Sequence, residues 1–169
     1  MITFRSTNLQ DIEQIQQIEK EYYEGFMCPE DILKSWIKEL PENFIVAEED
    51  KKILGFIFFE YLNEIKTIPF VHKLEHKPNG KYVYISEVGI SKRSDDSDIL
   101  QRLFEKVIEK SKKDARRLIV WLTGSKSKHD KIETNILISN QFTKKENVKN
   151  WEAYPNFFVD DHYLWIKKI

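Results

Sequence analysis

Residues 82–104, which read YVYISEVGISKRSDDSDILQRLF, decide the fold. Up to Gly89 they fall into two alternating sets, with the period of two that is typical of a half-buried strand. From Ile99 to Ile108 the apolar residues recur at helical spacing instead. We therefore predict a strand that passes through a polar turn into a helix.

The turn of this stretch, SKRSDDSD, lies where many α/β proteins bind a phosphate, because the first N–H groups of a helix lack intrahelical partners. It carries three carboxylates and no glycine. A carboxylate about 4 Å from a phosphate charge costs roughly 1 kcal/mol in water-like surroundings and about 4 kcal/mol in a partly buried site. The composition therefore favours a turn in which Ser94, Asp95, Asp96 and Ser97 cap the helix with their own oxygens.

Composition limits the classes of protein that the chain can belong to. Its 169 residues, 41% of them apolar and 33% charged, predict one globular domain over 1–169, and the net charge of −1 argues against nucleic-acid and membrane partners. The single cysteine, Cys28, excludes an internal disulfide, and the histidines are scattered, with His72 and His76 interpreted as solvated, so we expect no metal. The start, MITFRST, lacks the features of a secretory signal and predicts a cytoplasmic protein.

The remaining elements follow from periodicity. Thr7 or Asn8 can cap a first helix, and Gly55 inside a strand suggests a bulge or a close backbone approach. The connection 63–80 is long enough to be a lid or a contact surface. The predicted strands are 2–5, 44–48, 52–61, 82–90, 118–122, 142–153 and 161–169, and the predicted helices after the first are 30–40, 96–113 and 130–139. The order is β-α-α-β-β-β-α-β-α-β-β.

This order resembles the GCN5-related N-acetyltransferase (GNAT) family, and so do three local patterns. KILGFI at 52–57 is similar to the family's third strand, 87–103 to its acetyl-CoA motif, and YPNFFVDDHYLWIKKI at 154–169 to its closing strand pair. The resemblance covers nearly the whole chain. It implies an α/β fold with a mixed, mostly antiparallel sheet and helices on both faces, in which strands 82–90 and 118–122 are parallel neighbours.

The family's pyrophosphate loop has the pattern Arg or Gln, two residues, Gly, any residue, Gly or Ala. Without gaps, the basic position falls on Asp95 and the small positions on Asp98 and Leu100, so all three depart from the pattern. A shift of two residues brings Arg93 to the basic position but places Gln101 and Arg102 at buried helix positions.

The resemblance therefore implies acetyl-CoA as co-substrate in an atypical donor site. Backbone groups of the strand end would hold the pantetheine arm and the acetyl carbonyl. The candidate cofactor-binding residues are Val88, Gly89, Ile90, Ser91, Arg93 and Ser97.

Chemistry in this family is direct acetyl transfer to an amine, assisted by a base and often by a tyrosine that protonates the leaving thiolate. The resemblance makes Glu87 the candidate base, since partial burial would raise its pKa. An exposed or lysine-paired strand carboxylate is the alternative. The family's tyrosine position falls on Leu137, so Tyr154 or Tyr163 is the candidate acid, with core or rim aromatics as the alternative.

The loop between the first two helices usually shapes the acceptor pocket in this family. Tyr22, Tyr23, Phe26 and Met27 are accordingly the candidate substrate-binding residues, with core packing as the alternative.

Three functions stay open at this point. The first is an N-acyltransferase that acts on a small-molecule or peptide amine, either as a monomer or as a homodimer. The second is a noncatalytic binding or regulatory module that has lost acetyl-CoA binding and uses the notch between the parallel strands or the 63–80 connection. The third is a transferase whose donor lacks the adenosine half, such as an acyl group on a carrier protein.

Overall fold

The computed structural model describes residues 1–24, 27–64, 76–92, 97–124, 129–149, 151–154, 157–159 and 162–169, with only the backbone of 97, 151–154 and 157–159. The strands in this part of the chain are Thr3–Ser6 (β1), Phe44–Glu49 (β2), Lys52–Leu62 (β3), Tyr82–Ile90 (β4), Leu118–Gly124 (β5), Thr143–Val148 (β6), Trp151–Tyr154 (β7), Phe157–Val159 (β8) and His162–Lys168 (β9). The α-helices are Ile12–Tyr22 (α1), Glu30–Glu39 (α2), Ser97–Lys113 (α3) and Asp130–Ser139 (α4). Every helix described is too short or too polar to cross a membrane.

Seven strands form one mixed sheet in the order β1-β2-β3-β4-β5-β9-β6. The pairs β1–β2, β2–β3, β5–β9 and β9–β6 are antiparallel, while β4 and β5 run parallel with Tyr82 opposite Leu118 and Ile85 opposite Trp121. Helix α3 follows β4 and precedes β5, as the switch of period in 82–104 predicts. The predicted fold class and this parallel unit are therefore confirmed.

The end of the chain departs from the prediction. Residues 142–153 were predicted as one strand, but β6 ends at Val148 and β7 begins at Trp151. Strands β7 and β8 form a separate two-stranded sheet, and β9 returns to the large sheet beside β5. Residues 143–147, TKKEN, include no apolar residue, so periodicity gave no signal for the end of β6.

The residues group into two compact units, of which the first comprises Met1–Phe59 and Glu87–Val107. In this first unit Asn8 begins a short 3-10 turn ahead of α1: its side chain accepts from the Gln10 N–H, and Asp11 accepts from the Asn8 N–H. This reciprocal capping box confirms Asn8 as the cap. Thr7 donates from Oγ1 to the carbonyl of Phe44 instead.

Gly55 lies at a bulge of β3. Ala47 of β2 faces Gly55 and the next residue faces Ile53, so β3 carries one extra residue, Leu54. A Cβ built on Gly55 would lie 3.0 Å from the carbonyl oxygen of Gly89. Both predicted features, a bulge and a close backbone approach, are thus present, and a side chain at this position would crowd the Gly89 carbonyl.

The second unit comprises Glu60–Ser86 and Ile108–Ile169, and part of its core consists of Leu62, Tyr84, Val120 and Leu164. His76 in this unit is not the solvated side chain that we expected, because its Nδ1 accepts the Tyr61 N–H at 3.1 Å. Burial lowers its pKa. His72 lies outside the described residues. The prediction of a single domain stays a prediction.

Candidate active site

Glu87 lies in β4 and is buried, with 5% of its surface exposed. Its neighbours along the strand, Ile85 and Val88, are buried as well, so the carboxyl group has little access to water. The alternative of an exposed strand carboxylate is therefore wrong. A buried carboxyl group needs a polar partner, since taking a charge out of water is costly.

That partner is Glu19 of α1, which is fully buried. Its Oε2 accepts the backbone N–H of Cys28 at 2.9 Å, and its carboxyl group hydrogen-bonds to Glu87. The sequence analysis missed Glu19. The signal was present, because Glu19 follows Ile15 by four residues and precedes Tyr22 by three and therefore lies on the apolar stripe of α1.

Glu19, Cys28 and Glu87 form the acid cluster, in which a carboxyl oxygen or sulfur from each residue lies within 4.8 Å of the others. Burial raises the pKa of Glu87 to about 8, and the hydrogen bond from Glu19 opposes part of that rise. Burial also raises the pKa of the Cys28 thiol, and the carboxylates of Glu87, Glu19 and Asp31 raise it further. Near neutral pH the Cys28 thiol and most of Glu87 are therefore protonated, and Glu87 becomes able to accept a proton as the pH approaches 8.

The same three atoms have a spacing that a metal ion could bridge. A metal requires the thiolate form of cysteine, however, and the raised pKa of Cys28 opposes that form. The acid cluster is therefore suited to proton chemistry, and the expectation of no metal stays a prediction.

Tyr23, the residue that follows α1, contacts the backbone of β4 next to Glu87. Its Oη donates to the carbonyl oxygen of Val88 at 2.6 Å and accepts from the Val88 N–H at a longer 3.4 Å. In a strand the N–H and C=O of one residue point to the same edge. The hydroxyl of Tyr23 therefore occupies the hydrogen-bonding groups that Val88 presents at one edge of β4.

The backbone of Ser91 points to the other edge of the strand. Its N–H donates to the carbonyl of Leu54 in β3 at 2.9 Å. Successive residues of a strand point their N–H and C=O groups to opposite edges, so those of Val88 and Ile90 point away from β3. Gly89 packs against the core, since a Cβ there would lie 2.6 Å from Cε1 of Phe56. Of the four predicted strand residues, Val88 and Ile90 thus present their backbone groups away from β3.

The start of α3 carries the rest of the predicted donor site. Arg93 lies outside the described residues, and Ser97 begins α3 with its side chain outside them. Asp98 is exposed in the first turn, whereas Leu100 is fully buried in the core. Leu100, at the second small position of the motif, therefore packs inward. In the described part of the first turn of α3, Asp98 is the residue that carries a carboxylate.

The predicted substrate residues separate into different environments. Tyr22 is buried and packs edge to face with Tyr23, with ring centroids 5.1 Å apart, so its surroundings are those of a core residue. Met27 is 44% exposed. Phe26 lies outside the described residues, and Tyr154 belongs to β7 with its side chain outside them.

The strand order, the bulged third strand and the parallel β4–β5 pair joined through α3 define a protein of the GNAT fold. The sequence itself matches no protein-family model and no curated protein. Solved structures match over nearly the whole length.

The loading GNATL domain of CurA from Lyngbya majuscula has a TM-score of 0.79 at 14% identity, covering 99% of this chain and 98% of that one. A ribosomal-protein-alanine N-acetyltransferase from Brucella melitensis has a TM-score of 0.73 at 11% identity, with 99% of each chain covered. The diaminobutyrate acetyltransferase EctA from Paenibacillus lautus, solved with L-2,4-diaminobutyric acid and coenzyme A, has a TM-score of 0.72 at 11% identity over 98% and 93% of the two chains. These similarities establish the fold.

Proposed function

We propose that the protein is an N-acyltransferase that moves an acyl group from acetyl-CoA, or another acyl-CoA, to an amine. The observation that carries the proposal is the buried Glu87, whose pKa is raised to about 8 one residue before Val88 on the same strand. A general base works best when its pKa lies near the working pH. Amines are the acceptors named for two of the similar structures, a small diamine and a protein alanine.

Glu87 acts as the base in the proposed reaction. The amine nitrogen attacks the thioester carbonyl carbon, a C–N bond forms and the C–S bond breaks. The proton of the amine passes to the Glu87 carboxylate, directly or through one water. The leaving thiolate takes up a proton, for which Tyr154 stays the predicted donor.

Val88 and Ile90 are the proposed backbone partners of the donor. Tyr23 now makes with Val88 one donated and one accepted hydrogen bond, and an amide of a pantetheine arm has the same donor and acceptor pair. The strand edge therefore fits the arm chemically, provided that the Tyr23 hydroxyl moves aside. The turn 93–96, where a diphosphate would be expected, lies outside the described residues.

Removing the Tyr23 hydroxyl with Tyr23→Phe is expected to tighten acetyl-CoA binding by about 2- to 10-fold, the equivalent of one ordinary hydrogen bond that no longer competes for Val88. Calorimetric titration of both proteins measures the change. Tyr22→Phe is the matched control, because that ring is buried in the core. A loss of turnover in Tyr23→Phe without tighter binding would instead make Tyr23 a participant in the chemistry.

Asp98→Asn is expected to strengthen binding of coenzyme A at low salt by about 2- to 5-fold, because it removes a carboxylate from the first turn of α3. The gain should shrink as salt rises, since the site is exposed and screened. Glu105→Gln is the control: this exposed carboxylate lies about two turns further along the same helix. Equal effects of both substitutions would mean that only net charge matters and that no diphosphate rests there.

A thermal-shift and calorimetric comparison of three ligands tests the proposed function itself: acetyl-CoA, free coenzyme A and acetyl-pantetheine. A ligand at about a hundred times its Kd should stabilise the protein by about 2.7 kcal/mol. Binding of acetyl-CoA together with acyl transfer to an amine supports the proposal. Equal binding of acetyl-pantetheine would favour the donor without an adenosine half, and no binding at millimolar acetyl-CoA would leave the noncatalytic module. Cytoplasmic location and a homodimer stay predictions.

A further inference from the structure

We infer that Glu19 is a positioning residue for Glu87: its carboxyl group keeps a proton and donates it in a hydrogen bond that holds the Glu87 carboxylate ready to accept a proton from the amine. The inference rests on the proposed function, since it concerns the same base. It adds a second acid from a different element, α1, to a site that the resemblance attributes to β4 alone.

The geometry fixes which oxygen of Glu19 carries the proton. Oε2 accepts the Cys28 N–H at 2.9 Å, and a backbone N–H can only donate, so Oε2 acts as an acceptor. The oxygen left to bear the proton is Oε1, and the acidic group beside Glu19 is Glu87, a carboxyl oxygen of which lies within 4.8 Å of a Glu19 carboxyl oxygen. Glu19 lies one turn after the fully buried Ile15 on the apolar stripe of α1.

Burial decides how many charges the acid cluster can hold. Two carboxyl groups this close in a water-poor site cannot both ionise cheaply, so one of the two keeps its proton when the other ionises. Among the described residues, the Asp31 carboxylate of α2 also acts on this cluster, since it raises the pKa of the Cys28 thiol. A nearby negative charge of this kind disfavours a second carboxylate in the cluster.

The retained proton belongs on Glu19 rather than on Glu87. Glu19 is 0% exposed and Glu87 is 5% exposed, so the deeper group pays more to ionise. A neutral Glu19 also explains why its hydrogen bond lowers the pKa of Glu87 against the effect of burial. The single charge is then carried by the residue that the reaction uses.

Two substitutions in the full chain separate this role from simple packing. In Glu19→Gln the amide has the same shape, its Nε2 can donate to Glu87 and its Oε1 can accept from Cys28. In Glu19→Leu both hydrogen bonds are lost at similar volume. We expect Glu19→Gln to leave the Glu87 titration within about half a pH unit of wild type, and Glu19→Leu to raise it by about one unit or more.

The titration is read by NMR with carboxyl-labelled glutamate, and the Glu87 signal is assigned by its absence in Glu87→Gln. This readout needs no turnover, so it stands even if the proposed function fails. If turnover is found, the midpoint of the pH–rate profile should move with the titration, and the rate at pH 7 in Glu19→Leu should fall about tenfold for each unit of the shift.

Equal shifts in Glu19→Gln and Glu19→Leu, or no shift in Glu19→Leu, would overturn the inference. If Glu19→Leu does not fold, Glu19→Gln and the wild type decide alone. A rise of the Glu87 titration by a unit or more in Glu19→Gln contradicts the inference, and an unchanged value supports it. A wild-type titration that changes on addition of EDTA would mean that the cluster holds a metal ion and not a shared proton.

Discussion

Glu87→Gln lowers kcat/KM for acyl transfer by about 10²- to 10⁴-fold, the usual contribution of a positioned general base. Glutamine keeps the shape and can still hydrogen-bond to Glu19, but it takes no proton from the amine. In the wild type the rate should rise with pH up to about 8, where the buried Glu87 loses its proton, and the variant should lack this rise. Steady-state rates measured from roughly two pH units below that pKa to about one and a half units above it show both effects.

A second buried strand glutamate provides the matched control. Glu60 of β3 is 2% exposed and accepts a hydrogen bond from Ser86 Oγ at 3.1 Å. Glu60→Gln removes a buried carboxylate outside the acid cluster, so kcat/KM should stay within about threefold of wild type. If Glu87→Gln and Glu60→Gln lose activity equally, the loss reflects damage to the fold and Glu87 is not the base.

The same pKa makes stability depend on pH with a defined sign. Because the folded pKa of Glu87, about 8, lies above its unfolded value of 4.5, the folded state holds the proton more tightly. The stabilisation that Glu87 contributes to the folded state is fully present below pH 4.5 and is lost as the pH rises toward about 8. Over that range the free energy of unfolding falls by up to about 1.4 kcal/mol per pH unit. Glu87→Gln should lack this component, so denaturant unfolding curves of both proteins give an independent check on the base.

Sequence periodicity predicted those parts of the fold that depend on local pattern. The switch from period two to helical spacing in 82–104 predicted β4 and α3, and the isolated Gly55 predicted the bulge that the register confirms. These features are properties of a few neighbouring residues, and a sequence displays them directly. The break after Val148 has no such pattern, which is why β7 and β8 were not predicted.

The site was only partly predictable, because it is built from contacts that are distant in the chain. The family resemblance made Glu87, Val88 and Tyr23 candidates, but the contact between Tyr23 and Val88 joins residues 65 positions apart. Glu19 was missed for a different reason. A charged residue on an apolar helix stripe is a readable signal, but its partner, and hence its meaning, is defined by tertiary packing alone.

Trp36→Ala destabilises the protein by about 3–5 kcal/mol, the range measured for removing a large buried aromatic side chain. Trp36 of α2 is 2% exposed and stacks on Phe58, with ring centroids 4.2 Å apart and planes at 10°. It also meets Phe44 edge to face at 6.3 Å. Alanine would leave a cavity between α2 and the β2–β3 pair that rigid strands cannot fill. Urea unfolding followed by circular dichroism measures the change without depending on tryptophan fluorescence.

Aromatic contacts connect this part of the core with the candidate site in the first unit. Phe44 packs on Phe56 with centroids 5.9 Å apart, and Phe56 in turn contacts the backbone of Gly89, beside Val88.

Two further variants serve as controls for Trp36→Ala. Trp36→Phe keeps an aromatic ring over Phe58 and should lower the free energy of unfolding by less than about 2 kcal/mol, while Leu9→Ala, at an exposed position, should change it by no more than about 0.5 kcal/mol. A loss below about 1 kcal/mol in Trp36→Ala would mean that the stacked ring contributes little to this core and that β4 is held by other contacts.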